Sequence, residues 1–243
     1  MKFAPVTSAL DEEQARPLPL ALGIPHYLLQ VYSWAYVHPR AVRLFERGWL
    51  VNLILFGNYA RLRDAALAEM GTTVRGRTLQ VACVYGDLTV KLYNRLEADA
   101  RLDVVDILPI QLKNLSSKLP PDERVALVHG DSSLLVCPDA SYDQVLLFFL
   151  LHEQPRHVRS STLAEAVRVV RPGGKIIVVD YHRPVSWHPL RSLMRAVFRR
   201  LEPFAMDLWT HQITDFMQDE PQLASWSKQT YFGGLYQKFL LVR

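Results

Sequence analysis

The sequence predicts an α/β fold with a mostly parallel, seven-stranded sheet that ends in a C-terminal β-hairpin. From residue 78 onward, short apolar runs alternate with helical segments, a pattern that favours right-handed βαβ crossovers between parallel strands. The predicted strands are Leu79–Val84, Leu102–Ile107, Val125–Val128, Gln144–Phe149 and Lys175–Asp180, followed by a hairpin of Gln229–Phe232 and Leu235–Val242. Gly233 and Gly234, between the last two strands, suit a turn that needs positive φ.

The residues before the sheet are predicted to form accessory helices. Residues 1–24 are polar and then carry Pro17 and Pro19, so we interpret them as a flexible N-terminal lead. Residues 26–70 place apolar and aromatic side chains at helical spacing, with Gly48 and Gly57 as weak points. We therefore expect a single α/β domain over residues 25–243, with accessory helices at 26–70.

Composition narrows the function classes. A formal charge of +4 is too mild to indicate a nucleic-acid partner, but it permits contact with an anionic membrane surface. Two cysteines make neither a disulfide framework nor a metal cluster. The longest apolar run, Trp49–Phe56, is interrupted by Asn52 and is far shorter than the roughly 20 residues that span a bilayer. We expect a cytoplasmic protein that is peripheral to the inner membrane, and the oligomeric state stays open.

Polar residues follow successive strands of the predicted sheet. Open parallel sheets bind ligands beyond the carboxyl ends of their strands, where Gly86, Asp106 and Asp131 are expected. An acid after the second strand suits ribose hydroxyls, and one after the third suits an adenine amino group. The predicted cofactor-binding residues are Val81, Cys83, Gly86, Asp87, Asp106, Ile107, Asp131, Ser132 and Phe149. The alternative is structural: Asp87 caps the next helix, and the other acids only end their strands.

Several motifs match one enzyme class. They are the run 81–88, Asp106, Asp131, and the segments 138–143 and 169–174. With a parallel sheet finished by a hairpin, they resemble the Rossmann-like class I S-adenosylmethionine (SAM) methyltransferases, and within these the UbiE family of quinone methyltransferases, over about residues 78–183. The resemblance implies the class I SAM-methyltransferase fold and SAM as the bound cofactor.

Two departures from the UbiE pattern indicate a more particular family. Gln80 stands where UbiE-like proteins usually carry an acid, and Val84-Tyr85-Gly86 replaces a small Gly-x-Gly stretch. Together with the segments 81–89 and 32–36, these departures resemble RquA, a family of rhodoquinone biosynthesis. That resemblance implies that ubiquinone is converted to rhodoquinone, with the amino group of SAM replacing a ring methoxy group, and that Mn²⁺ is required.

The departures have a chemical rationale for amino transfer. A neutral Gln80 removes a charge that would stabilise the SAM ammonium group, so the pKa of that amine should fall. Tyr85 would reposition the amino-acid end of SAM, and Tyr181 completes the predicted catalytic set. The alternative is that Gln80 is a tolerated polar residue without a catalytic role.

Polar residues after the fourth and fifth strands are candidate metal ligands. His152, Asp180 and His182 offer mixed nitrogen and oxygen ligation, which suits manganese among other divalent ions. Their spacing matches no metal signature, and the alternative for His152 is a helix cap or a residue at the edge of the cofactor.

Two features suit a lipid-soluble substrate. The aromatic residues Tyr27, Tyr32, Trp34, Tyr36, Trp49 and Phe56 are candidates for an apolar entrance, although aromatic residues at helical spacing are more often core. Residues 190–201 predict a helix with an apolar face and a stripe of Arg191, Arg195 and Arg199. The stripe is either a membrane contact or a solvated helix face.

Three functions therefore remain open. The first is SAM-dependent amino transfer to a quinone. The second is conventional SAM-dependent methylation of a quinone or small aromatic compound. The third is a non-catalytic protein of the same fold in a quinone pathway.

Overall fold

The helices before the sheet break where glycine predicts weak points. The computed structural model describes residues 23–32, 39–217 and 223–243, so most of the predicted lead at 1–24 lies outside it, as do Trp34 and Tyr36. The helices are α1 (His26–Val31), α2 (Pro39–Phe45), α3 (Gly48–Ile54) and α4 (Tyr59–Met70). Gly57, between α3 and α4, has φ of +78°, a conformation that glycine adopts without strain.

The seven-stranded sheet has the predicted topology. Its strands are β1 (Arg77–Val81), β2 (Arg101–Asp106), β3 (Val125–His129), β4 (Tyr142–Phe148), β5 (Val170–Tyr181), β6 (Ser225–Tyr231) and β7 (Tyr236–Val242). The spatial order is β3-β2-β1-β4-β5-β7-β6, and β7 runs antiparallel to both of its neighbours. The later helices are α5 (Leu88–Tyr93), α6 (Pro109–Ser116), α7 (Arg156–Val169), α8 (Arg191–Leu201) and α9 (Asp207–Thr210). The parallel sheet with a C-terminal hairpin is therefore confirmed.

Two predicted boundaries differ from the structure. Strand β1 ends at Val81 rather than Val84, because Ala82 adopts a left-handed conformation with φ of +72° and turns the chain. The turn predicted at 171–174 lies inside β5, which begins directly after α7. Gly173 there has φ of +76°, and the β4–β5 register shifts between Tyr142 and Gln144. Glycine thus marks an irregular strand rather than a separate turn.

The core forms two apolar layers, one on each face of the sheet. In β5, Ile177 and Val179 pack into the layer that contains α4 and α5, whereas Ile176 and Val178 pack into the layer that contains α7. A slip of one residue would exchange these two sets of side chains, so burial on both faces sets the strand register. That register brings the carboxyl ends of the parallel strands to one edge.

A tyrosine of α4 fixes the start of α5. The Tyr59 hydroxyl accepts hydrogen bonds from the backbone N–H groups of Asp87 and Leu88, at 2.9 and 3.0 Å. The preceding residue, Gly86, has φ of +87°, and a Cβ there would lie 2.6 Å from the Tyr59 hydroxyl oxygen. Glycine at position 86 therefore makes room for the hydroxyl that satisfies the helix N-terminus.

No helix among the described residues is long and apolar enough to cross a membrane.

We predict that Tyr59→Phe lowers the free energy of unfolding by about 1–3 kcal/mol, because two helix N-terminal N–H groups lose their acceptor. Urea denaturation followed by circular dichroism measures this loss. Tyr231→Phe is the matched control, since the Tyr231 hydroxyl donates only to the side chain of Gln229. Equal stability of wild type and Tyr59→Phe would contradict the assigned role of the hydroxyl.

Candidate active site

A large cavity lies beyond the carboxyl ends of β1, β2 and β4. Its walls come from the loops after these strands and after β3, and α1 and α3 form part of its cover. The residues at the strand ends that line it are Ala82, Cys83, Val84, Tyr85, Asp106, Ile107, Asp131, Ser132, Phe149 and His152. Six of the predicted cofactor-binding residues are among the lining: Cys83, Asp106, Ile107, Asp131, Ser132 and Phe149. The strand-end rule therefore locates the cavity correctly.

Asp106 joins two of the loops around this cavity. Its carboxylate accepts hydrogen bonds from the backbone N–H groups of Cys83 and Leu108, at 2.7 and 2.8 Å. Burial raises the pKa of Asp106 to about 6, while the two backbone hydrogen bonds act in the opposite direction. A carboxylate offers about four acceptor positions, so Asp106 keeps acceptor capacity beyond these two bonds.

Asp131 presents a carboxylate to the same cavity. Its Oδ1 accepts hydrogen bonds from the Ser133 backbone N–H and hydroxyl, at 2.8 and 2.7 Å. No donor in the described part of the chain reaches its Oδ2. The neighbouring Ser132 hydroxyl accepts a hydrogen bond from the Gln154 amide at 2.9 Å and lies 3.0 Å from the Thr162 hydroxyl. The loop after β3 is therefore held in place with one carboxylate oxygen still open.

Gln80 does not face the cavity, which corrects its predicted catalytic role. Its side chain is fully buried, its amide Nε2 donates to the Ala82 carbonyl at 3.0 Å, and its Oε1 accepts from the Thr89 hydroxyl at 3.0 Å. Both ends of the amide are satisfied inside the protein. Gln80 is therefore a positioning residue that holds the left-handed turn at Ala82.

Tyr85 lies in the cavity wall, as predicted. Its ring stacks on Phe45 of α2 with ring centroids 5.8 Å apart. Its hydroxyl accepts a hydrogen bond from the Gln111 side-chain amide of α6 at 2.8 Å. The ring contact with Phe45 and the hydrogen bond from Gln111 hold the Tyr85 side chain in space that a Gly-x-Gly loop would leave open.

Three other predicted cofactor-binding residues lie outside the cavity lining. Val81 is buried in the core below the loop. Gly86 packs against Tyr59, and the Asp87 carboxylate pairs with Arg63 at 2.7 Å. These residues shape the loop from behind, because the chain turns away from the cavity after Tyr85.

Glu46, which sequence reasoning missed, directly follows α2 and connects it to the loop after β1 through hydrogen bonds. Its carboxylate accepts hydrogen bonds from Lys118 Nζ at 2.7 Å and from the Asn114 amide at 2.6 Å. Lys118 also donates to the Gly86 carbonyl at 3.0 Å. The two contacts of Glu46 join residues 68 and 72 positions apart, so no local pattern in the sequence predicts them.

A buried ion pair lies in the wall of the same cavity, next to the loop after β4. His152 Nδ1 lies 2.8 Å from Asp180 Oδ1, and Glu202 and Glu153 lie 4.0 and 3.7 Å from His152 Nε2. Burial works against protonation of His152, but the three surrounding carboxylates outweigh it and raise the pKa to about 9. His152 is therefore a cation at neutral pH. Its Nε2 is directed toward the cavity's acidic residues.

The predicted metal site is wrong. Both oxygens of Asp180 are occupied by donors: Oδ2 accepts from the Leu151 and His152 backbone N–H groups, and Oδ1 accepts from the Tyr181 N–H and faces His152. The Nδ1 of His182 donates to the Gly234 carbonyl at 2.8 Å, and this residue lines a different cleft. In the described residues, no three His, Cys, Asp or Glu side chains are grouped to hold a metal. The predicted ligands therefore do not fit manganese.

Tyr181 lines the cavity beside the ion pair. Its buried ring lies 4.8 Å from His152 and 5.3 Å from Phe149, between ring centroids. Burial, together with nearby acidic groups, raises its pKa well above the ordinary tyrosine value. The hydroxyl therefore stays protonated and acts as a neutral polar group. Glu202, which sequence reasoning missed, also lines the cavity, and burial raises its pKa.

Apolar residues of the first helices form part of the cavity wall. Tyr27 and Leu28 of α1 and Ile54 of α3 line it, with Val51 and Leu55 nearby in the same wall. Among the described residues of the predicted aromatic entrance, Tyr27 lines the cavity. The other described members lie elsewhere: Tyr32 is buried in the core, Trp49 is 61% exposed, and Phe56 stacks on Phe232.

The comparisons with known proteins agree with this architecture. Residues 78–174 match the family model of the methyltransferase domain. Over 149 residues the chain is 30% identical to the demethylmenaquinone methyltransferase of Staphylococcus aureus, covering 61% of this chain and 60% of that protein. It is 24% identical to the corresponding Bacillus licheniformis protein, over 68% and 70% of the two chains. The chain thus spans about three fifths of the length of the Staphylococcus relative.

Solved structures show the same fold. The N-methyltransferase NodS of Bradyrhizobium japonicum, in complex with S-adenosylhomocysteine, superposes with a TM-score of 0.58 over 90% of this chain and 99% of that chain, at 12% identity. The pyocyanin biosynthetic protein PhzM gives a TM-score of 0.58 over 88% of this chain and 61% of that chain, at 19% identity. The chain therefore has the class I SAM-methyltransferase fold.

We predict that the pH dependence of stability reports the buried ion pair. Because the folded-state pKa of His152 lies above its unfolded value, this contribution is fully present below about pH 6.5 and is lost as pH rises through about 9. Urea denaturation between pH 6 and 10 should show this decline in wild type. The decline should be smaller in His152→Gln. An identical decline in both proteins would contradict the assigned charge of His152.

Proposed function

We propose that this protein transfers a group from SAM to a quinone. The observation that carries the proposal is one cavity whose lining combines the carboxylates of Asp106 and Asp131 with apolar residues of α1 and α3. The similarity to demethylmenaquinone methyltransferases supports this proposal.

The residues at the strand ends fit SAM. Asp106 has acceptor positions left after its two backbone bonds, which suits the two ribose hydroxyls. The open Oδ2 of Asp131 suits the exocyclic amine of adenine. When bound, SAM supplies either an electrophilic methyl group or a nucleophilic amine. The protein's own part is to hold the adenosine and to direct the amino-acid end past Tyr85.

We predict that Asp106→Asn weakens SAM binding by about tenfold or more, because a charged acceptor contributes roughly 1.5–3 kcal/mol. Isothermal titration calorimetry measures the affinity, and circular dichroism confirms folding. Asp99→Asn is the control, since Asp99 is an exposed acid ahead of β2. In wild type the affinity should fall as pH drops through about 6, where Asp106 takes up a proton. Unchanged affinity in Asp106→Asn would remove Asp106 from the site.

The part of the cavity that is lined by His152 and Tyr181 suits the polar ring of a quinone. The protonated His152 carries its charge beside Tyr181, and both line the cavity. A cation and a hydroxyl donor stabilise negative charge that develops on a carbonyl oxygen when a nucleophile adds to the ring. The apolar wall of α1 and α3 suits a prenyl tail. His152 and Tyr181 are therefore the proposed catalytic residues in this part of the cavity.

The finer proposal is amino transfer, in which ubiquinone becomes rhodoquinone. The amine nitrogen would form a bond to a methoxy-bearing ring carbon, and the methoxy group would leave with a proton as methanol. The quinone ring would then accept the two electrons of the C–H bond at the SAM α-carbon, and water would hydrolyse the resulting C=N bond, which leaves the nitrogen on the reduced ring and an α-keto acid on the SAM side. One observation supports it over methylation: the ring of Tyr85, stacked on Phe45, fills the place of a small loop residue and would redirect the amino-acid end of SAM.

Isotope labelling separates amino transfer from methylation. We expect that SAM labelled with nitrogen-15 at its amine passes the label to the quinone, whereas carbon-13 in its methyl group stays out of the product. Mass spectrometry of the quinone measures both. Label from the methyl group in the product would favour conventional methylation. Nitrogen delivered from ammonia or glutamine would exclude SAM as the amino donor.

We also propose that the cavity opens beside α3 and faces a membrane there. Trp49 and Leu53 of α3 are 61% and 63% exposed beside the apolar lining residue Ile54. The predicted arginine stripe of α8 supports this surface less well. Arg195 and Arg199 are exposed, but Arg191 is half-buried and lines a separate cleft. Exposed apolar residues at the opening would let a lipid-soluble quinone enter without crossing water.

We predict that Trp49→Ser with Leu53→Ser lowers co-sedimentation with anionic lipid vesicles by at least about half. Trp226→Ser is the matched control, because Trp226 is also about half exposed but lies on the edge strand β6. Equal retention of the double variant and wild type would contradict membrane contact through α3.

A further inference from the structure

A second cleft lies on the far side of the end of β5. His182 follows Tyr181 directly but faces this cleft, and the rings of Tyr181, Phe198 and Trp209 separate it from the first cavity. Its charged and polar lining includes Arg183, Arg191, Lys228, His182 and His211. None of the residues described as lining it is an aspartate or a glutamate. The cleft is therefore positively charged.

The cations of this cleft lack carboxylate partners among the described residues. Arg183 and Arg191 make no ion pair there, and the Lys228 ammonium donates only to the Gln212 side chain, at 3.3 Å. The nearby acids are engaged elsewhere. Asp207 pairs with Arg159 at 3.3 Å, and Asp215 accepts the Gln212 backbone N–H at 2.8 Å. Among the described residues, three cations therefore face this cleft without a carboxylate, and their combined positive potential favours binding of an anion.

Two buried donors also lack acceptors. The Nε of Arg191 and the indole Nε1 of Trp209 have no hydrogen-bond partner within the part of the chain that is described, and Trp209 is 5% exposed. Both residues line the cleft. A buried N–H without an acceptor costs free energy, so these sites favour a ligand that brings acceptor oxygens.

The pKa of His182 also reflects the positive charge of this cleft. Burial, together with the charge of Lys228, lowers its pKa. Its Nδ1 donates to the Gly234 carbonyl, so Nε2 of the neutral ring is an acceptor and His182 is not one of the donors for an anion.

We propose that this cleft binds an oxyanion of the phosphate class, with Arg191, Lys228 and Trp209 as its donors. A tetrahedral oxyanion presents several strong acceptors to a guanidinium, an ammonium and an indole N–H at once. The site is separate from the cavity in which group transfer is proposed, so it does not depend on that proposal.

The test is titration of inorganic phosphate into the full-length chain at pH 7 and low ionic strength. Calorimetry and the indole N–H resonance of Trp209 should both show saturable binding. Arg191→Gln should weaken it by about tenfold. Arg195→Gln removes the same charge from an exposed position of the same helix and should change the affinity by less than about twofold.

Lys228→Gln provides a second variant on an exposed strand position, where folding is not at stake. It should weaken phosphate binding by about threefold or more. Absence of saturable binding in wild type overturns the proposal. Equal weakening by Arg191→Gln and Arg195→Gln, with Lys228→Gln unchanged, also overturns it, because general attraction by the α8 surface would then explain the binding.

A free phosphate and a lipid headgroup offer the same oxyanion, so vesicles distinguish the two sources. If the headgroup is the ligand, wild type sediments more with phosphatidic acid vesicles than with phosphatidylglycerol vesicles, and Arg191→Gln abolishes the difference. If free phosphate is the ligand, Arg191→Gln weakens binding in solution and leaves sedimentation unchanged. A variant that changes neither quantity contradicts the site.

Discussion

The hydrogen bonds of the Asp106 carboxylate hold together the two loops of the proposed SAM site. It accepts the backbone N–H of Cys83 after β1 and that of Leu108 at the start of α6, so one side chain sets the relative position of two loops. Ala82, beside it, has a left-handed conformation that costs a non-glycine residue free energy. The hydrogen bonds of Asp106 and of Gln80 offset that cost and direct Cys83 and Tyr85 into the cavity.

A second buried carboxylate, that of Asp180, holds the loop after β4 in the same way. Asp180 binds the backbone N–H groups of Leu151 and His152 and also faces the His152 ring. It therefore fixes both the loop after β4 and the protonated state of the histidine. Under the proposed function, one carboxylate positions the ligand-binding loop and the other prepares a cation for the quinone. Parallel topology brings both to one edge of the sheet.

The fold followed from the sequence because local patterns encode it. Alternating apolar runs predicted the strands, Gly48 and Gly57 the helix breaks, and Gly233-Gly234 the hairpin. Asp106 and Asp131 were placed correctly because both follow strands whose ends the pattern locates. Strand ends were less certain: the turn at Ala82 depends on side-chain hydrogen bonds to Gln80 and Asp106, which no local pattern reports.

The parts of the site that sequence reasoning missed depend on long-range contacts. Glu46 reaches Lys118 and Asn114 from a different helix, and Glu202 approaches His152 only after the chain returns from α8. His182 was grouped with Asp180 because they are two positions apart. Residues two positions apart in a strand face the same side, but β5 ends at Tyr181, so His182 belongs to the following loop and lines another cleft. Proximity in sequence was therefore a poor guide to a shared ligand.

The most direct test of the account is a crystal structure of the chain with S-adenosylhomocysteine. We expect the ribose hydroxyls within about 3 Å of Asp106, the adenine amine at Asp131, and the amino-acid end beside Tyr85. The space between Tyr181 and the α3 opening would remain free for the quinone. Adenosine bound beside His152, or in the cleft of Arg191 and Lys228, would contradict the assignment of the cavity.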